Sequence, residues 1–215
     1  MADGIGGAPE GARASRTLIE WLATHVEGMY SAAGLETALQ AANDALYHAG
    51  REDRRLQGMG TTVTVAQIRG GELLVAHAGD SRAYRLRGER LERLTHDHAV
   101  AAELLDSGKI SAADAATHPL RHVLTRAIGP WRAVRVDLMG SAWEPGDRIL
   151  LCTDGLFGKL SDDALTEVWA DRHGDAAVEA LVGAAMREGA TDDVTVVLAE
   201  DDEDPTGEER ESHGG

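Results

Sequence analysis

Residues 61–94 read TTVTVAQIRGGELLVAHAGDSRAYRLRGERLERL, and no other stretch restricts the fold of this chain so tightly. The segments TTVTVAQI, ELLVAHA, RAYRLR and ERLERL are short and rich in β-formers. They are separated by RGG, GDS and RGE. Connections this short join antiparallel neighbours, because a parallel partner needs a crossover of a dozen or more residues. An antiparallel meander is the expectation.

Helices flank it. Residues 12–30 place Leu18, Ile19, Leu22, Val26 and Met29 at helical spacing, and residues 35–49 repeat the pattern with Leu35, Leu39, Ala42 and Leu46. After the meander, residues 97–126 are mixed and polar, with a short helix over 100–105 and Gly108 as its cap, an excursion suited to flanking a site. Strands return at VRVDLM (134–139) and, after the turn EPGD, at RILLCT (148–153). Helices over 162–171, capped by Ser161, and 175–188 precede a last strand, VTVVLAE (194–200). Helices and antiparallel strands in separate blocks make an α+β layered domain, and 215 residues suffice for one such domain.

Charge limits what the domain can bind. The net charge is −16, of which −7 falls in residues 200–215 and −9 in the body. Nucleic acid, which is bound by basic patches, is excluded as a partner. An anionic substrate needs the local sign reversed, and divalent cations do that. The stretch 200–215, EDDEDPTGEERESHGG, lacks apolar periodicity and is read as an acidic disordered tail after a domain spanning 1–199. Cys152 is the single cysteine, which excludes an internal disulfide and a multi-cysteine zinc site. No apolar run approaches membrane-spanning length, so a cytoplasmic protein without a membrane partner is expected.

Three carboxylates share one local setting, each where a strand meets a turn. Asp154 ends the apolar run 149–153 and precedes Gly155; Asp192 stands before the strand beginning at Val194; Asp3 stands before Gly4, Gly6 and Gly7. A lone aspartate at such a place usually only caps a turn. Together with their surroundings they carry a resemblance. ADGIGG, GMGTTVTVAQI, AHAGDSRAYRLR, LTHDHAV, THPLRHVLTRAIG, PGDRILLCTDGLFGKLSDD and TDDVTVV occur in the order found in the metal-dependent protein phosphatase 2C family of Ser/Thr phosphatases, in its bacterial form. The matches extend over residues 2–199.

The resemblance implies a four-layer α-β-β-α sandwich, two antiparallel sheets flanked by helices, with metals at one end. It makes Asp3 the carboxylate bridging two ions, Gly4 a backbone-carbonyl ligand, Asp154 and Asp192 the ligands completing the first ion, and Asp97 the ligand of a third ion that shares Asp154. Asp80 and Ser81 match a turn used structurally. Asp3, Asp154 and Asp192 are thereby the catalytic set, and phosphorylated proteins the partners of a monomer. Oxygen ligands suit Mg²⁺ or Mn²⁺. Two such ions about 4 Å apart can share a water, lower its pKa and neutralise phosphoryl oxygens.

Competing motifs fail on their own terms. A cysteine phosphatase needs an arginine six positions after Cys152, and position 158 is glycine. GLFGKLS lacks the earlier glycine and the hydroxyl residue of a nucleotide-binding loop. His96, His98, His118 and His122 match no closed zinc set; His118 and His122 are candidates for protonating a leaving group. Family members carry strands ahead of the ADG motif, with a phosphate-clamping arginine and an acidic residue for the second ion. The chain is therefore expected to lack those strands and to leave raw sheet edges, with Met1 standing where relatives have valine, a GTG codon read as a start in an arginine-rich, GC-rich gene. The alternative is a degenerate, inactive module that binds a phosphoprotein or regulatory partner.

Overall fold

The computed structural model describes residues 1–5, 9–25 and 29–200. Val26, the Gly6–Gly7 turn and residues 201–215 of the tail lie outside the described residues. The described elements run α1 (Pro9–Thr24), α2 (Ala32–Glu52), a 3₁₀ turn (Arg54–Leu56), β1 (Val63–Arg69), β2 (Glu72–Ala78), β3 (Arg82–Arg87), β4 (Arg90–Arg93), α3 (Val100–Asp106), α4 (Ala112–Thr117), β5 (Asp137–Ala142), β6 (Arg148–Cys152), α5 (Asp154–Phe157), α6 (Asp162–Trp169), α7 (Gly174–Arg187) and β7 (Val196–Glu200).

The expected meander divides. β1 and β2 form a hairpin in a three-stranded sheet of order β1-β2-β5, whereas β3 and β4 form a hairpin in a four-stranded sheet of order β4-β3-β6-β7. The chain changes sheets at Gly79, whose φ of 124° favours glycine and whose missing side chain matters, since a Cβ there would stand 2.6 Å from Thr62. Ser81 Oγ and Thr62 Oγ1, 2.8 Å apart, tie the two sheets at this crossing.

Period-two alternation then sorts the side chains into layers. On β6, Ile149 and Leu151 face the space between the sheets with Leu73, Val75, Ala83 and Trp143. Leu150 and Cys152 face the other way, onto α6 and α7, where Leu165, Trp169, Leu181 and Ala185 are fully buried. α1 and α2 cover the outer face of the first sheet through Leu18, Leu35, Leu39 and Leu46, packed on Val63, Ala76 and Ala78. The result is the expected four-layer α-β-β-α sandwich. Cys152 is a buried strand residue whose thiol burial pushes up to about 12, a structural position without nucleophilic character.

Several boundaries differ from the sequence reading. β5 begins at Asp137 rather than 134: its last pair with β2 is Asp137 with His77, and Val134 and Val136, which precede it, pack on the α2 core instead. β7 begins two residues later than expected and runs through Glu200, so the fold includes a residue assigned to the tail. Glu200 is held there by Arg148, whose Nε donates to Glu200 Oε1 at 2.6 Å. Arg148 also donates to the carbonyls of Trp169, Ala170 and Arg172, closing the end of α6.

Asp3 does not hang from a raw end. Residues 1–5 run antiparallel to residues 60–64: Thr64 N donates to Met1 O at 3.0 Å, Thr62 N to Asp3 O at 2.8 Å, and Ile5 N to Gly60 O at 2.9 Å. α1 approaches this segment closely enough that a Cβ on Gly4 would lie 2.3 Å from the Gly11 backbone.

Asn43, fully buried on α2, fixes the loop between α4 and β5: Gly129 N donates to its Oδ1 at 2.8 Å and its Nδ2 donates to Trp131 O at 3.1 Å. Asn43→Ala strands a buried donor and a carbonyl, and is expected to cost about 2–3 kcal/mol in urea unfolding.

Candidate active site

Asp154 leaves the end of β6 as the first residue of α5. Gly155 lets the segment before β7 come against it, because a Cβ at 155 would lie 2.4 Å from Asp193 O. Thr153 completes the junction: its Oγ1 donates to Asp193 O at 3.0 Å and accepts from Thr195 N at 3.0 Å, and its N–H donates to Thr195 O at 3.2 Å. Asp192 is thereby brought to Asp154 across 38 positions of sequence, and the 1–5 segment supplies Asp3 from the other sheet.

The electrostatics record the convergence. Burial, then the charges of Asp154, Asp192 and Asp193, push the Asp3 carboxyl up to about 6. Asp154 is also raised, by burial and then by Asp192, with His122 opposing. Asp80 is pushed up to about 7 by burial and then by Asp154, Asp97 and Asp3. Crowded carboxylates of this kind favour any added positive charge.

Asp80, His122 and Asp154 each offer a ligand atom within 4.8 Å of the others, and His122 Nδ1 lies 3.2 Å from Asp154 Oδ2. The sequence reading gave Asp80 to a structural turn. Its position in the cluster follows from the sheet crossing at Gly79, which local sequence does not announce. His122 is weighed there with three other histidines as a zinc ligand and set aside, and then kept as a candidate proton donor.

Asp97 stands apart from this group. Both its oxygens are held by Arg82, with Nη2 2.6 Å from Oδ2 and Nε 3.0 Å from Oδ1, while the Arg82 guanidinium lies 3.6 Å over the Phe157 ring. It lines the same cavity as Asp80, His122 and Asp154, with its carboxylate neutralised.

The four histidines do not gather. His96 pairs with Asp106 at 2.6 Å, His98 accepts from Gly79 N at 3.2 Å and contacts Asp137, and His118 accepts from Leu120 N at 3.1 Å.

A sequence model of the family described as Protein phosphatase 2C matches residues 1–188. The chain belongs to the protein phosphatase 2C family. Within it, the chain is 36% identical over 204 residues to a Mycobacterium tuberculosis protein named serine/threonine protein phosphatase PstP, covering 93% of this chain and 39% of that protein. It is 31% identical over 210 residues to the Listeria monocytogenes serine/threonine phosphatase stp, covering 94% of this chain and 83% of the relative. The crystal structure of the PstP catalytic domain, reported in complex with two manganese ions, superposes with a TM-score of 0.83 at 34% identity, over 93% of this chain and 85% of that one. The bacterial phosphatase 2C form and its two-sheet sandwich are therefore those of this chain. The chain spans well under half of the mycobacterial relative and most of the listerial one.

Beneath this phosphatase 2C site lies a titratable support. His77, fully buried on β2, lies 3.0 Å from Thr64 Oγ1 through Nδ1, donates from Nε2 to His96 O at 3.1 Å, and stacks on His98 at 4.9 Å. Burial, then the His98 charge, lowers it from 6.5 to about 4. Between those values the unfolded chain binds the proton and the folded chain does not, so this group contributes stability above pH 6.5 that is lost as pH falls toward 4. The raised carboxylates act in the opposite sense. Urea unfolding across this window should therefore show wild type losing about 3 kcal/mol relative to His77→Gln, a difference that isolates the imidazole.

Proposed function

We propose that this chain is a metal-dependent protein phosphatase that hydrolyses phosphoserine and phosphothreonine in proteins. In this reading Asp3, the Gly4 carbonyl, Asp154 and Asp192 hold two divalent ions, and Asp97 with Asp154 serves a third. What supports it is the electrostatic nearness of three carboxylates from distant parts of the chain: after burial, Asp154 and Asp192 raise Asp3, and Asp192 raises Asp154. An all-oxygen donor set suits Mg²⁺ or Mn²⁺, and the manganese named for the PstP structure agrees with that choice.

When bound, such ions supply the positive charge that activates water and neutralises a phosphoryl group. The chain's own part is placement. The Thr153 and Gly155 junction fixes Asp154 against Asp192, the pairing of residues 1–5 with 60–64 fixes Asp3, and His122 Nδ1 steadies Asp154 Oδ2 from the cavity side. Asp97 enters its role by releasing Arg82, while Asp80 and His122 reach toward Asp154 without such a competitor.

No described helix is long and apolar enough to cross a membrane. We read the protein as a cytoplasmic monomer acting on phosphorylated proteins, a setting that agrees with one free buried cysteine. The test is hydrolysis of p-nitrophenyl phosphate and of a phosphothreonine peptide with and without Mn²⁺. Turnover that appears with the ion and disappears with chelator supports the reading. Titration calorimetry showing no uptake of Mn²⁺ or Mg²⁺ sinks it.

A further inference from the structure

The acidic cluster occupies only one end of its cavity. The space is about 530 Å³, within the range of roughly 300–1,000 Å³ that accommodates drug-sized ligands and far more than a phosphoryl group fills. The remaining wall is made by the facing sides of α3 and α4: Ala101, Ala102, Leu105, Ala112, Ala115 and Ala116. α4 buries none of its residues, and Leu105 is left 37% exposed. Five alanines and a leucine thus line open space contiguous with Asp80, His122 and Asp154, where the small side chains leave room rather than fill it.

The charges at this end are largely matched within the chain. Asp97 is held by Arg82, and Asp106 by His96 at 2.6 Å, so neither pair calls for an ionic ligand. Arg93 lies 3.8 Å from Asp97. Arg121, whose contact is a 3.5 Å bond to His118 O, is the lining cation least engaged by the chain. An apolar occupant fits such a surface better than an acidic one.

We propose that the slot between α3 and α4 receives an apolar side chain flanking the phosphorylated residue of a protein substrate, so that this chain selects phosphosites with a neighbouring aliphatic residue. The proposal rests on the phosphatase reading. It adds to that reading a specificity subsite built by Leu105 and the alanines, distinct from the groups that meet the phosphate. One cavity joins the two ends, so a single extended peptide can place its phosphate at the cluster and its neighbour in the slot.

The experiment compares kcat/KM for phosphothreonine peptides carrying leucine, glycine or aspartate at each flanking position in turn, with p-nitrophenyl phosphate as a substrate that has no flanking residue. Wild type is expected to favour leucine over glycine by about tenfold at one position, the discrimination that partial burial of an aliphatic side chain supplies. Two variants act on the slot in opposite ways: Ala116→Trp fills it and Leu105→Ala strips its wall. In both, the leucine-to-glycine ratio should fall toward one; because it is a ratio within one variant, it is independent of changes in overall turnover. Equal rates on all peptides, a leucine preference untouched by either variant, or a preference for aspartate that vanishes in Arg121→Ala overturns the proposal while leaving the phosphatase reading intact. Absence of turnover on every substrate, p-nitrophenyl phosphate included, overturns both.

Discussion

Asp154→Asn should inactivate the protein and, without added metal, make it more stable. Its carboxylate sits where Asp3, Asp80 and Asp192 converge, and it is the first charge after burial that raises both Asp3 and Asp80. On the proposed reading Asp154 is a shared metal ligand, and its loss is expected to cut kcat/KM on p-nitrophenyl phosphate about 1,000-fold or more, several kcal/mol of lost charge stabilisation. The stability effect has the other sign. Groups whose folded pKa is raised contribute stability that is complete below about 4 and is lost as pH rises through 6 to 7, where Asp3 and Asp80 ionise against Asp154. Removing one of these charges should therefore raise metal-free stability by about 1–2 kcal/mol at pH 8 and by little at pH 4. Thermal unfolding in chelator at the two pH values measures this, and Mn²⁺ should stabilise wild type far more than the variant.

Gly155→Ala should damage the same site by a purely steric route. The new methyl would stand 2.4 Å from Asp193 O and 2.9 Å from Asp193 C, and that backbone cannot retreat without losing its bond from Thr153. Alanine gains up to about 1 kcal/mol in helix propensity, but overpacking against fixed backbone costs about 1–3 kcal/mol or more, so the clash decides the sign. We expect a net loss of about 2 kcal/mol in urea unfolding and at least a tenfold fall in kcat/KM as Asp192 is displaced from Asp154. Gly140→Ala is the control: no atom lies within 4 Å of its added methyl and its φ is not positive, so it should change stability by less than about 0.5 kcal/mol. An unaltered Gly155→Ala protein would show that the junction yields more readily than its hydrogen bonds indicate.

Much of this architecture was legible in local pattern. β2 and β3 coincide with ELLVAHA and RAYRLR, because alternating apolar residues between glycine turns leave little freedom of assignment. What escaped depends on partners. Residues 134–136 have the composition of a strand, but the ladder with β2 stops at His77 and Asp137 and they pack on α2, while Gly140 and Ser141, poor strand formers, are paired because β2 lies opposite. α4 and the single turn of α5 are too short to show a period. The same division holds at the site. Asp3, Asp154 and Asp192 stood out because each follows or precedes a strand, and the family resemblance gave them roles. Asp80 did not, since GDS reads as an ordinary turn until the sheets it joins are known. Nor could the spacing from Arg82 to Asp97 indicate that the two would form a bidentate pair.

The pairing of residues 1–5 with 60–64, and of Asp154 with the segment before β7, carries a kinetic consequence. Both contacts close long loops, and such contacts form late because the entropy of closure opposes them until the intervening structure exists. A chain with its helices and both hairpins in place would still lack the carboxylate constellation proposed to capture a cation. Recovery of Mn²⁺ affinity after dilution from urea should accordingly lag recovery of helical signal, making the ion a reporter of the final step of self-assembly.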